Sequence, residues 1–202
     1  NGVGYPIGFS DRNYEYLNKF SPYIIENGGD MPTSLNDLEK KIIAKTAIEA
    51  GISMGVVNGV VKGDMVLTSE GPKVIEIATR LSGGWFSSDQ IPLNSGIHII
   101  EYAIKIALNI NFNPTDLIPK INKGVAIRYF FPSEGEISKI ENLDILLDND
   151  YIYKFDLFFK EGDYIDKITD HTKRAGYVIT IGKDKREAVN RAEEIINTIK
   201  II

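Results

Sequence analysis

The chain has 202 residues, of which 43% are hydrophobic, enough to bury a sizeable core in one domain or one and a half. Its 23 basic and 28 acidic residues leave a net charge of -5, which argues against nucleic acid or an anionic membrane as the main partner. Cysteine is absent and only His98 and His171 carry imidazoles. Disulfides, thiolate metal sites and a cysteine nucleophile are therefore excluded, and a zinc enzyme or a serine triad is disfavoured.

No apolar run approaches the roughly 20 residues needed to span a bilayer, and no secretory leader pattern opens the chain, so a cytoplasmic protein is expected. The chain begins at Asn1 rather than Met, and residues 3–9 read as a strand, which suggests a fragment or a processed product. Residues 10–32 mix aromatics with Gly28-Gly29-Asp30 in no clear period and read as loop. Ser34 then precedes Leu35, Leu38, Ile42, Ile43, Ala47 and Ile48 at helical spacing, and Gly51 stops the pattern, so an amphipathic helix with one buried face is expected.

Residues 55–68 favour β-structure through Val56, Val57, Val60, Val61, Val66 and Leu67, and residues 73–80 form a second strand. Between them, Ser69, Glu70 and Gly71 suit a three-residue hairpin loop. A glycine-rich stretch, Ser82-Gly83-Gly84-Trp85-Phe86-Ser87-Ser88, comes next. Ile97, Ile100, Ala103, Ala107 and Leu108 outline a helix ending near Asn109. From Gly124 onwards short strands near 125–131, 136–140, 152–159 and 177–181 suggest a small antiparallel sheet. Asp184 with Glu187 has a capping-box pattern and opens a helix whose apolar face is Ala188, Ala192, Ile195, Ile196 and Ile199.

The hairpin concentrates chemistry. Strand alternation puts Lys62 and Asp64 on one side of the first strand and Glu76, Ala78 and Arg80 on one side of the second. With Ser69, Glu70 and Gly71 as the turn, Thr68 faces Pro72 and Asp64 sits opposite Glu76, their β-carbons about 4.5–5.5 Å apart. Like charges so placed repel, so a cation is expected between them. Magnesium fits, since it combines one or two carboxylates with substrate phosphates, and Lys62 and Arg80 could hold phosphate oxygens. An exposed sheet face with ordinary surface ion pairs is the alternative that spacing leaves open.

These residues resemble a known family. Lys62-Gly63-Asp64-Met65-Val66 and Val74-Ile75-Glu76-Ile77-Ala78-Thr79-Arg80-Leu81-Ser82-Gly83-Gly84 look like the metal-binding hairpin of ATP-grasp ligases. Pro32-Thr33-Ser34-Leu35 and Gln90-Ile91-Pro92-Leu93-Asn94-Ser95-Gly96-Ile97 look family-like too. Gly124-Val125-Ala126-Ile127-Arg128 and Arg174-Ala175-Gly176-Tyr177-Val178-Ile179 are similar to the small C-terminal subdomain of the biotin carboxylase, carbamoyl phosphate synthase and phosphoribosylglycinamide synthetase branch.

The resemblance implies an α+β fold: an ATP-grasp C-terminal lobe over residues 1–123, then a small antiparallel β subdomain with a C-terminal helix over 124–202. It implies ATP and magnesium (or manganese) as cofactors, with Asp64 and Glu76 as metal ligands. Lys62, Asp64, Glu76, Arg80, Ser82, Gly83 and Gly84 would bind the nucleotide, and Arg80 and Lys62 would be catalytic. The family's second strand reads Glu-x-Asn-x-Arg with the asparagine as a further metal ligand, and this chain has Ala78 there. The implied reaction is ATP-dependent joining of a carboxylate, or bicarbonate, to an amine through an acyl phosphate. Its partners are small-molecule carboxylate and amine substrates and an N-terminal ATP-binding lobe, in cis or in trans, for which no segment is found. Homodimerisation is admitted, and neither nucleic acid nor membrane is expected.

A non-catalytic half-domain that kept the fold, and an unrelated magnesium phosphotransferase, are the rival readings. Elsewhere, His98 reads as a packed or capping residue, Trp85 and Phe86 as anchors, and His171, Lys173 and Arg174 as a solvated turn. Asp89 and Gln90 are candidates by chain proximity alone, and Arg12, which follows the first expected strand, is a candidate to reach into the cleft.

Overall fold

The computed structural model describes residues 3–147 and 149–202. In chain order the elements are β1 (Asp11–Asn13), α1 (Leu17–Phe20), β2 (Gly28–Met31), α2 (Asp37–Ser53), β3 (Lys62–Thr68) and β4 (Gly71–Ala78). They continue as α3 (Ile91–Ser95), α4 (Ile99–Ala107), β5 (Gly124–Tyr129), β6 (Gly135–Glu136), β7 (Ile140–Glu141) and β8 (Ile152–Leu157). The last four are β9 (Tyr164–Ile165), β10 (Gly176–Gly182), α5 (Lys185–Thr198) and β11 (Lys200–Ile201). No described helix is long and apolar enough to cross a membrane.

The chain divides into two compact units, the first made of residues 1–9 and 34–121, the second of residues 10–33 and 122–202. Segment 10–33, expected in the first domain and expected as loop, belongs to the second unit. The reason is β-pairing: β1 pairs antiparallel with β2, and β2 with β5. Every residue of β2 is buried, so it shows none of the polar–apolar alternation that marks a strand with one wet face. Gly28 is required there, because a β-carbon would lie 2.3 Å from the Ile127 carbonyl oxygen. Residues 3–9, expected as a strand, form none; Gly4 instead lies against the Ile48 side chain and Gly8 against Ile91.

The second unit is built on an antiparallel five-stranded sheet in the order β1-β2-β5-β10-β8. Small residues bring α5 onto it: Ala126 of β5 and Ala188 and Ala192 of α5 are wholly buried together. A β-carbon on Gly124 would sit 1.9 Å from the Asp184 carbonyl oxygen, so only glycine allows the start of α5 to approach this closely. Asp184 accepts the Glu187 N–H (2.9 Å), as the capping pattern implies, while the Glu187 carboxylate accepts from Lys183 N rather than from Asp184. A core of Phe130, Ile137, Leu146, Phe159, Ala175, Val178, Ile195 and Ile199 fills the unit, and the expected strand at 136–140 breaks into the short β6 and β7.

In the first unit, α2 starts two residues later than Ser34 would place it. Asn36 is the cap: its side chain accepts from Leu38 N and Glu39 N, and the Glu39 carboxylate accepts from Asn36 N at 2.8 Å. Asn36→Ala is expected to cost about 1 kcal/mol of stability, read by denaturant unfolding, because two N–H groups lose their acceptor. The buried face of α2 is narrower than its apolar pattern suggests. Ile43, Ala44 and Gly51 are buried, whereas Leu38 is exposed.

Candidate functional site

The β3–β4 hairpin carries the charged cluster. Lys62 pairs with Ala78 and Asp64 with Glu76, the register that places two carboxylates face to face. The turn differs from the expected one, since Thr68 pairs with Gly71 and only Ser69 and Glu70 form the loop. Gly71 has φ +106°, a conformation glycine adopts without strain. A bulge restores the register: Met65 pairs with Val74 and Asp64 with Glu76, so Ile75 is the extra residue on β4.

A cation does sit between the two acids, and it belongs to the chain. Lys62 Nζ donates to Asp64 Oδ2 at 2.5 Å and to Glu76 Oε1 at 3.1 Å. The Lys62 and Asp64 side chains are 16% and 18% exposed, and Glu76 is 54% exposed. Lys62 is thus turned toward the acids. Arg80 lies just past the end of β4 with an exposed side chain that donates to the Leu81 carbonyl oxygen at 3.1 Å.

Among the described residues, no group of three or more His, Asp or Glu side chains could hold a metal ion alone. The hairpin offers two hard carboxylate donors on facing strands. That set fits magnesium where phosphate oxygens and water complete the shell. Ala78 adds no donor.

The glycine-rich stretch turns into a short π-helical segment, Phe86–Gln90. Ser82 N–H is already engaged by Ser87 Oγ at 3.0 Å, so of the three amides expected to bind an anion this one is committed internally. Gly84 (φ 62°) and Trp85 (φ 58°) make the left-handed corner, and the Gly84 carbonyl oxygen accepts from Gln90 Nε2 at 2.9 Å. Asp89 and Gln90 are buried in this segment. His98 is exposed rather than packed; it holds the N-cap position of α4, where its carbonyl oxygen accepts the Glu101 N–H at 2.9 Å while its side chain makes no capping hydrogen bond.

In the second unit residues 171–173 form an exposed turn, as expected, while Arg174 is half-buried and the turn is tied to Glu26. Lys173 is exposed and pairs with Asp166, but His171 Nε2 accepts the Glu26 N–H at 3.2 Å. Arg174 donates to the Glu26 carbonyl oxygen at 2.7 Å and stacks over the Tyr129 ring at 3.8 Å. Arg12 forms an ion pair with the Glu26 carboxylate. These contacts join positions up to 148 residues apart, so sequence spacing carries no sign of them.

Burial first, then the Arg174 guanidinium and, more weakly, Arg12, push the His171 imidazole below its ordinary value against the pull of Glu26. The fold therefore favours neutral His171. Its contribution to stability is present above about pH 6.5 and is lost as pH falls through that value toward the folded pKa. An imidazole NMR titration is expected to place His171 below 6.5. Glu26→Gln should lower it further.

Comparison with known proteins shows the fold. The chain is similar to phosphoribosylglycinamide synthetase from Anaerococcus prevotii, with TM-score 0.77 and 21% identity over 96% of this chain and 48% of that one. It is similar to L-amino acid ligase from Bacillus licheniformis, with TM-score 0.76 and 19% identity over 90% and 45% of the two chains. The biotin carboxylase domain of Hydrogenobacter thermophilus 2-oxoglutarate carboxylase, solved with MgADP and bicarbonate, matches with TM-score 0.60 and 17% identity over 88% and 39%. No curated protein matches the chain.

The chain has the fold of the C-terminal region of ATP-grasp ligases, an α+β fold of antiparallel strands and packed helices. Residues 128–202 match the family model described as L-amino acid ligase C-terminal domain 2. The chain spans less than half the length of these three solved structures.

Proposed function

We propose that these residues form the magnesium- and phosphate-binding part of an ATP-dependent carboxylate–amine ligase that works through an acyl phosphate. The observation that carries this reading is the pairing of Asp64 with Glu76 across the hairpin, with Arg80 two residues beyond Ala78. Among acceptors, the match of residues 128–202 to an L-amino acid ligase domain favours the carboxylate of an amino acid over bicarbonate.

The ATP-binding lobe then lies outside these residues, in cis or in trans. Leu38, Met54, Val57, Ile75, Ile104 and Leu108 of the first unit are each at least half exposed. They are expected to become covered in the complete protein.

In the reaction, Asp64 and Glu76 hold the cation, and the Arg80 guanidinium fixes the phosphoryl group or the acceptor carboxylate by paired hydrogen bonds. Bound magnesium supplies neutralisation of charge on the transferring and leaving oxygens. Lys62 serves the phosphate oxygens as a point charge, and the amides of Gly83 and Gly84 are the loop donors left for an anion. The acceptor carboxylate oxygen takes the γ-phosphoryl group and ADP leaves. The amine then attacks the acyl carbon, giving up a proton, and inorganic phosphate departs with the C–O bonding pair.

The second reading, a non-catalytic half that kept the fold, is favoured by Ala78 and by the seat of Lys62 on both carboxylates. Acceptor-dependent ADP release by the complete protein, tested with pairs of amino acids, separates the two. Release that requires both an acceptor carboxylate and an amine supports the ligase; no release with any carboxylate overturns it.

A further inference from the structure

We infer that Lys62 is a tethered competitor for the metal position, so that the hairpin admits a divalent cation only together with a polyphosphate that takes over the lysine ammonium. The inference rests on the reading of Asp64 and Glu76 as metal ligands given under Proposed function.

The geometry is specific to the residues present. Lys62 stands directly across from Ala78 in the strand register, two residues before Asp64. From there one ammonium reaches both carboxylates, at 2.5 and 3.1 Å, which are charge-assisted hydrogen-bond distances. Its side chain is 16% exposed, so it is held on the acids rather than waving in solvent.

Charge balance makes the two cations rivals. Two carboxylates and one ammonium sum to a single negative charge. A divalent ion entering beside the ammonium meets a like charge only a few ångströms away, while the ammonium still occupies oxygens the ion needs. That repulsion is twice the one between two unit charges at the same distance, and it grows as the local dielectric falls below that of water. Metal alone must therefore displace Lys62 into solvent. A triphosphate changes the balance, because its oxygens accept the displaced ammonium as strongly as the carboxylates did, and they complete the metal shell that Ala78 leaves short. Metal and polyphosphate then bind with mutual support, and each raises the affinity of the other by the same factor.

The test needs only the chain and Mn2+ without nucleotide, with binding read by water-proton relaxation. Lys62→Met is expected to bind Mn2+ about tenfold or more tighter than the native chain, and Asp64→Asn in the Lys62→Met background should abolish the gain. Lys62→Gln, which keeps a polar side chain, should show the same ordering, and thermal unfolding of each variant confirms that it is folded. Equal Mn2+ affinity in native and Lys62→Met chains, both lost with Asp64→Asn, overturns the competitor role and leaves the metal site standing. No Asp64-dependent Mn2+ binding in any variant overturns both.

Discussion

Glu76→Gln in the complete protein is expected to lower kcat/KM for acceptor-dependent ADP formation on the order of 100- to 1000-fold, with little change in unfolding midpoint. The two halves of that expectation have different causes. Exchanging a carboxylate for an amide removes one of two anionic donors that hold the cation against the phosphates, and preorganised charge of this kind carries about 3–4 kcal/mol of transition-state stabilisation. The fold does not depend on it. Glu76 is 54% exposed, and its ion pair with Lys62 is of the surface kind worth about 0–1 kcal/mol. Asp64→Asn should show a comparable loss of activity. An activity loss matched by a fall in stability would instead mark the hairpin as structural.

The largest stability effect is expected in the second unit. Asp30→Ala should lower the unfolding free energy by about 3–5 kcal/mol, measured by denaturant titration, because it strands a buried charge. The Arg128 side chain is 5% exposed and donates to Asp30 Oδ1 at 2.6 Å and to Glu193 Oε1 at 3.2 Å. Burial opposes its charge, but the hydrogen bond and charge of Asp30, then those of Glu193, outweigh it and raise its pKa. Without Asp30 the guanidinium keeps, among the described residues, the Ile127 carbonyl oxygen and the more exposed Glu193. The double variant Asp30→Ala/Arg128→Leu should recover part of the loss, since no buried charge is then stranded and Glu193, which also loses Arg128, is 45% exposed.

How much of this was legible depends on the range of the interactions. The hairpin could be read because its signals are local: Val66 and Leu67 before the turn, Gly71 beside it, and two acids on matching faces; Val56, Val57, Val60 and Val61, expected in the first strand, lie before β3 begins at Lys62. Even there the Asp64–Glu76 pairing came from a turn that is one residue shorter than expected, offset by the bulge at Ile75. Helix α5 was legible from its capping residue and from the spacing of Ala188, Ala192 and Ile195. Residues 10–33 were not, because β2 is buried throughout and its partner in β5 lies about a hundred positions away, as the Asp30–Arg128 separation of 98 shows.

Among the site residues, the need for a cation between Asp64 and Glu76 could be argued from charge alone. That Lys62 would meet it could not, because Lys62 was expected to face phosphate, and its reach to both carboxylates depends on side-chain geometry that strand spacing does not carry. The commitment of Ser82 N–H to Ser87 Oγ is likewise a matter of loop conformation. The Glu26 network with Arg12, His171 and Arg174 is assembled by the fold from separate stretches and leaves no motif.

The most direct test of the hairpin as the cation-holding wall is the anomalous signal of Mn2+ in crystals of the complete protein with a non-hydrolysable ATP analogue. The expected result is a peak bonded to both Asp64 and Glu76 at about 2.0–2.2 Å, with Lys62 moved from the carboxylates to the phosphate oxygens. A peak held only by nucleotide and water, with Lys62 still seated on both acids, would contradict it.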